Sequence, residues 1–288
     1  MRMRKPAFAG SWYPGNADEC KRMIDSFLKQ NRFAAKISGI AAGGIVPHAG
    51  WAFSGDLACR VIAHVRGDGA EPDPDVVIVF GMHLPPGTRP VMMTRGAWQT
   101  PLGEIEIQDQ LAEAVAGQFS CTIETADNFV PENTIELQLP FIKHFFPDSR
   151  IVTIGVPPSQ TAPELGRFAA NKAAEFNLSA KVIGSTDLTH YGPDFNFTPA
   201  GTGPDAYQWV KTQNDRRVID KMLEMDGPAV IEQGLSNQNA CCAGAAAAAI
   251  AASKALGASG GHLVGYSSSY EKNPGSTFVG YGGIVYTR

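Results

Sequence analysis

The chain has 288 residues, with 24 Lys and Arg against 28 Asp and Glu, six His and five Cys. A formal net charge of −4 leaves no basic footprint for nucleic acid, and 44% hydrophobic residues suit a packed globule, not a disordered chain. The odd cysteine count without a CxxC pair disfavours a disulfide framework and a structural zinc ribbon. With no signal-peptide core and no apolar run near the roughly 20 residues of a membrane span, a soluble cytoplasmic protein is expected.

In chain order, Asn16 and Asp18 are placed to cap an amphipathic helix over residues 17–30, with Met23, Ile24, Phe27 and Leu28 on its apolar face. Residues 37–46 read as a buried strand and 55–65 as a helix. The β-branched run 75–80, between Pro74 and Gly81, is a second buried strand. A helix over 109–119 follows, then helical spacing over 135–146, where Pro140 implies a kink or a first turn. Residues 150–156 and 180–185 are strands, with a helix over 164–176 between them. A long helix is expected over 207–225 and an alanine-rich one over 242–256. Strands at 262–268 and 278–286 lie too close for a crossover and read as a hairpin at one edge. This alternation predicts an α/β fold in a single large domain, with a mixed, mostly parallel sheet covered by helices.

In open α/β sheets ligands bind beyond the carboxyl ends of the strands. Pro47-His48-Ala49-Gly50-Trp51 follows the first strand and Gly81-Met82-His83 the second. Thr186-Asp187-Leu188-Thr189-His190-Tyr191-Gly192 follows the strand ending at Ser185. Any one of these histidines is explained as well by an ordinary loop. Three at equivalent strand ends form a donor set suited to zinc, iron, copper or nickel. His64, His144 and His262 fall within elements and take structural or surface roles. Asp187 is a ligand, an acceptor that orients a His, or a helix cap. Cys241 and Cys242 precede the alanine helix, where a thiolate gains from the helix N-terminus; otherwise they are small buried residues. Glu132 and Glu136 are acid–base candidates or ordinary helix-start carboxylates. No P-loop, dinucleotide fingerprint or nucleophile elbow is present.

Four segments together resemble the MEMO family, whose prokaryotic members are called AmmeMemoRadiSam system protein B. They are Ala9-Gly10-Ser11-Trp12-Tyr13-Pro14, Pro47–Trp51 with Ser54-Gly55, Ile135–Phe141, and Ser185–Gly192; the match continues to Val279-Gly280-Tyr281. The resemblance implies one MEMO-like domain over residues 1–288, with a fold like that of class III extradiol ring-cleavage dioxygenases. It implies a metal site at His48, His83 and His190, with Asp187 and Cys241 at the same pocket and Trp12 at a peptide-binding position. Cys241 is preferred to Cys242 because the family pattern Cys-Gly-x-Gly-Pro-Ile aligns with Cys241–Ala246. The chain departs from the family in three places. His83 comes one residue early relative to Gly-Pro-x-His. Asn133 stands where Glu-His-Ser carries a His. Cys242 and Ala245 replace Gly and Pro.

Two functions compete. One is a metal-dependent, dioxygenase-like oxidoreductase on an unknown substrate, with Fe(II) first and copper or zinc as alternatives. Here His48, His83 and His190 hold the ion, and Asp187, Cys241 and Glu132 are the catalytic candidates. The other is a non-catalytic adaptor whose cleft, lined by Trp12, Tyr13 and Trp51, takes a peptide or protein partner. Zinc-dependent hydrolysis with Asp187 or Glu132 as base is a third option. Family association names the other AmmeMemoRadiSam system proteins, including a radical SAM protein, as partners; no nucleic acid or membrane is expected.

Overall fold

The computed structural model describes residues 2–30, 32–33, 37–69 and 72–288. Its first part runs β1 (Met3–Arg4), α1 (Ala17–Lys29), β2 (Ala41–Val46), α2 (Asp56–Arg66) and β3 (Val76–Gly81). The short strands β4 (Val91–Met93), β5 (Ala97–Thr100) and β6 (Gly103–Glu106) follow, then α3 (Asp109–Phe119) and β7 (Thr122–Glu124). Next come α4 (Asn133–Glu136), α5 (Leu139–Phe145), β8 (Arg150–Gly155), α6 (Ala162–Glu175) and β9 (Ala180–Ser185). The remainder is β10 (His190–Tyr191), α7 (Pro204–Trp209), α8 (Asp215–Leu223), α9 (Gly227–Asn237), α10 (Ala243–Ala255), β11 (Gly260–Ser268), α11 (Ser269–Lys272) and β12 (Phe278–Thr287).

The main sheet has the order β10-β12-β2-β9-β3-β8-β4-β7, with β11 also paired to β12; β1, β5 and β6 form a small second sheet. The sheet is less parallel than expected. Its centre, β2-β9-β3-β8, is parallel, as is β4–β7. The pairings of β12 with β10, β11 and β2, and of β4 with β8, are antiparallel. The expected hairpin is β11–β12, and its β12 arm joins the sheet through β2.

Local chemistry explains the main elements. Asn16 caps α1 by accepting from the Glu19 amide at 3.0 Å, and Cys20, Ile24 and Phe27 form its buried face. The run predicted over 135–146 splits into α4 and α5, with Pro140 in the first turn of α5, where its missing N–H costs nothing. The helix predicted over 207–225 is α7 and α8 joined by a π turn at Val210–Asn214. Strands β4 to β7, of three or four residues each, are too short to leave a period in the sequence.

Helix α10 packs on α6 and on β9 of the central sheet, while α2 covers β2 and β12 and contacts α1 and α5. The run Ala245–Ala249 is fully buried. Gly166 of α6 lies so close to α10 that an added Cβ would stand 2.0 Å from the Ala248 carbonyl oxygen. Among the described residues, no helix is long and apolar enough to cross a membrane.

Candidate metal centre

The sheet order explains why residues far apart in sequence meet. Strands β2, β9 and β3 are neighbours, with Val46 beside Ser185 and Phe80 beside Gly184. Their carboxyl ends therefore stand side by side, a few ångströms apart. The loops that follow carry His48, Asp187 and His83.

His48 is buried and fixed at three points. Its amide donates to Asp187 Oδ1 at 2.7 Å, and its carbonyl accepts from Asn133 Nδ2 at 3.1 Å. Its Nδ1 lies 3.0 Å from Ser185 Oγ. The Ser185 hydroxyl gives its single proton to the Thr134 carbonyl at 2.7 Å, so toward His48 it accepts. Nδ1 therefore carries hydrogen, and Nε2 is the atom turned into the pocket, 3.3 Å from Cys241 Sγ.

His83 reaches the same place despite coming one residue early. Met82 takes a left-handed φ of 68° and donates its amide to Thr134 Oγ1 at 2.6 Å. Its side chain fills the space above Gly155, where a Cβ would stand 2.3 Å from the Met82 sulfur. With the chain turned in this way, the His83 ring meets His48 edge-to-face, centroids 4.9 Å apart.

Ligand atoms of His48, His83, Cys241 and Cys242 all lie within 4.8 Å of one another. Burial pushes the Cys241 thiol up, but the Cys242 sulfur and the His48 and His190 imidazoles outweigh it and hold Cys241 well below its ordinary value. Cys241 Sγ also accepts from the Asp187 amide at 3.3 Å. Burial lowers His48, but Asp187 and Cys241 outweigh it and raise His48 to about 9. The opposed shifts favour the proton on His48 over Cys241. Cys242 is pushed well above its ordinary value by burial and by its neighbour. Burial also raises Asp187, against the pull of His48.

His190 stands outside that group of four but on the same cavity. Its Nε2 is buried without a hydrogen-bond partner, 4.0 Å from Asp187 Oδ2. An unpartnered buried imidazole nitrogen near the Cys241 sulfur and a fixed His48 Nε2 is a donor arrangement that suits a transition-metal ion. The His190 loop is held from outside. Leu188 N and Gly280 O, and Gly280 N and Thr189 O, bond at 2.9 and 3.0 Å. Below it the buried Asp215 accepts from the Thr189 amide at 3.0 Å, from the Thr189 hydroxyl, and from Tyr266 OH at 2.8 Å. Burial raises Asp215 to about 6 against these bonds. Sequence reasoning missed Asp215. The signal was its register: it shares the buried face of α8 with Val218, Ile219 and Met222.

The cavity over the cluster measures about 470 Å³ and is lined by His48, His83, Asn133, Asp187 and His190. Trp12, Phe53 and Phe195, each 40–42% exposed, ring its mouth. A second hollow of about 490 Å³ continues past His83 and Asn133 toward Phe8 and Val130.

Other expected site residues have different tasks. Tyr13 is buried and donates its hydroxyl to Glu136 Oε1 at 3.0 Å. Trp51 stacks on Phe141 with centroids 4.1 Å apart and donates its indole N–H to the Leu137 carbonyl at 3.0 Å. Both belong to the core, so of the three aromatics assigned to the cleft only Trp12 lines it. The Glu132 carboxylate caps α4, accepting from the Thr134 and Ile135 amides at 3.1 and 3.0 Å and from the Thr134 hydroxyl. That leaves it committed as a cap instead of poised as a base. Glu136 binds the Ala7 and Phe8 amides at 2.8–3.0 Å, which delivers Trp12 to the cavity mouth. Phe53 and Phe195 were not foreseen. His262 bonds Thr287 Oγ1 at 2.9 Å and His144 packs on Phe145, in keeping with the structural roles expected of them.

Comparison with known proteins agrees with the motifs. The family described as Memo-like protein matches residues 4–285. A MEMO1 family protein of Pyrobaculum aerophilum is 32% identical over an alignment of 298 residues that covers all of both chains. One of Methanopyrus kandleri is 33% identical over 297 residues, covering 99% of each. Among solved structures, an uncharacterized protein of Escherichia coli K12 superposes with a TM-score of 0.50 at 12% identity, over 84% of this chain and 98% of that one. That likeness concerns the fold alone, an α/β architecture. The full-length match of profile and relatives means that this chain belongs to the Memo-like family.

Proposed function

We propose that the protein binds a redox-active transition metal, iron or copper, and acts as a dioxygenase-like oxidoreductase on an uncharged or aromatic organic substrate. The observation that carries this reading is the convergence of His48, His83 and Cys241 on one point beneath a cavity with an aromatic rim. A bound ion would supply redox chemistry with O2 that no side chain here has alone. The chain's own groups do the rest. Ser185 fixes the His48 tautomer. Trp12, Phe53 and Phe195 offer ring faces to an organic ligand. With Asn133 bonded to the His48 carbonyl, proton transfer falls to Asp187 and His190, 4.0 Å apart. The five free thiols fit a cytoplasmic setting, and the AmmeMemoRadiSam system proteins are the partners that family association supplies.

Untagged protein should carry near-stoichiometric metal. After anaerobic loading with Fe(II) or Cu(I) it should consume O2 with catechol-like substrates. Failure to take up Fe(II), copper or zinc overturns the reading. The adaptor alternative retains Trp12 alone of its three aromatics. It would be favoured if metal-free protein captured a partner and Trp12→Ala abolished that capture.

A further inference from the structure

The metal-binding reading leaves Cys242 without a task, and a cysteine beside a pocket thiolate is ordinarily a small buried apolar residue. Here its backbone argues otherwise. Cys241 donates its amide to the Asp187 carbonyl at 3.1 Å, and Cys242 donates its own to Thr186 Oγ1 at 3.0 Å. Both halves of the dipeptide are thus tied to the loop that carries Asp187. With Cys242 at φ −122°, ψ 52°, both sulfurs turn to the same side. They lie 3.9 Å apart, far beyond a disulfide bond. The Cys242 sulfur is also within 4.8 Å of the His48 and His83 ligand nitrogens.

Two of these spacings match the edges of a metal tetrahedron, and the rest fall within 4.8 Å. With metal–sulfur bonds of about 2.3 Å and metal–nitrogen bonds of about 2.0–2.1 Å, the S···S edge is about 3.8 Å and the N···S edge about 3.5 Å. The chain shows 3.9 Å between the sulfurs and 3.3 Å from Cys241 Sγ to His48 Nε2.

We propose that Cys242 is a direct metal ligand, completing a set of His48, His83, Cys241 and Cys242 that favours Cu(I) or Zn(II) over Fe(II). The inference rests on the metal-binding reading above and revises its ligand set: His190 stays beside the ion on the substrate side. Thiolates are soft donors and select Cu(I) and zinc, whereas non-haem iron sites are built from imidazole and carboxylate. On ligation Cys242 gives up its thiol proton to solvent, and the single proton that lies between Cys241 Sγ and His48 Nε2 is released as well. Metal uptake is therefore accompanied by proton release.

The test counts thiolates on the ion. Metal-free full-length protein is loaded anaerobically with Co(II), and the thiolate-to-cobalt charge-transfer absorbance is read. Zinc-loaded protein is examined in parallel by X-ray absorption. Wild type should show two sulfurs per ion, Cys242→Ser one, and His190→Gln two. In competition with a Cu(I) chelator, Cys242→Ser should lose about 10–100-fold or more in affinity, with little loss toward Fe(II). A single sulfur per ion in wild type overturns the proposal, whatever the variant does to folding. So does a Cys242→Ser protein whose spectrum and Cu(I) affinity match wild type. Either result leaves the metal-binding reading standing. Wild type that binds none of these ions overturns both.

Discussion

Two buried regions of this molecule are built on opposite principles. Between α6 and α10, backbones nearly touch through Gly166 and a run of buried alanines, and shape alone holds the pair together. At the ends of β2, β9 and β3, His48 and Asp187 are buried and Cys241 is half-buried, and bonds among them and to Ser185 and Asn133 replace the hydration they lose. The helix contact has one satisfactory arrangement and no use for a ligand. The strand-end cluster keeps an unpartnered nitrogen at His190 and sulfurs 3.9 Å apart, an arrangement that an ion would complete. Stability is concentrated in the first region and chemistry in the second.

Substitutions should separate the two. The largest effect is expected at the helix contact. In Gly166→Ala the new Cβ meets a backbone carbonyl that cannot swing aside, and we expect a loss of about 3 kcal/mol in urea unfolding. The loss should be equal in chelator and in metal. A metal-dependent loss would mean that the regions are coupled.

Asp215 tests the support of the His190 loop. Its carboxyl is raised from 3.8 to about 6 in the folded chain, so between these values the native state binds more protons than the unfolded state. Stability from this group is therefore fully present below about pH 4 and lost as pH rises to about 6. Two pKa units correspond to about 3 kcal/mol. The difference in unfolding free energy between wild type and Asp215→Asn should change by an amount of that order across this window. A difference that does not vary with pH would show that Asp215 titrates normally.

Trp51→Phe removes an indole N–H and leaves the Leu137 carbonyl unpaired, at a cost of about 1–2 kcal/mol. Trp12→Ala, at a half-exposed rim position, should change stability by less than about 0.5 kcal/mol. It should still weaken binding of an aromatic ligand, as read by quenching of the remaining tryptophans. If Trp12→Ala unfolds the chain as readily as Trp51→Phe, the division between rim and core is wrong.

The sequence announced the strand-end loops because β-branched runs mark buried strands, and ligands collect beyond their carboxyl ends. That argument reached His48, His83, Asp187 and His190 with no knowledge of the sheet order. It did not separate Trp12 from Tyr13 and Trp51. All three are aromatics near glycines, and their exposure is decided by Glu136 and Phe141, which lie more than 80 residues away. Nor did it place the Cys242 sulfur, because its direction depends on bonds to Thr186 and Asp187 across the pocket. Glu132 looked like a base because its type and position suit acid–base work and helix capping equally; only the bonds it makes distinguish the two. The sheet is mixed, as expected, but less parallel than the alternation implies, because β4 and β10 carry no periodicity of their own and add antiparallel pairings to β8 and β12.

The clamp of β12 on the His190 loop has a consequence for how the pocket comes into being. On the ribosome His48, His83, Asp187 and His190 all emerge well before Val279 and Gly280, the residues that set the height of the loop. A nascent chain presents these four side chains before the strand that fixes the His190 loop has formed. The geometry of the pocket therefore belongs to the released, folded chain. The strand that closes the pocket is thus the last one made, and three neighbours, β2, β10 and β11, hold it in place.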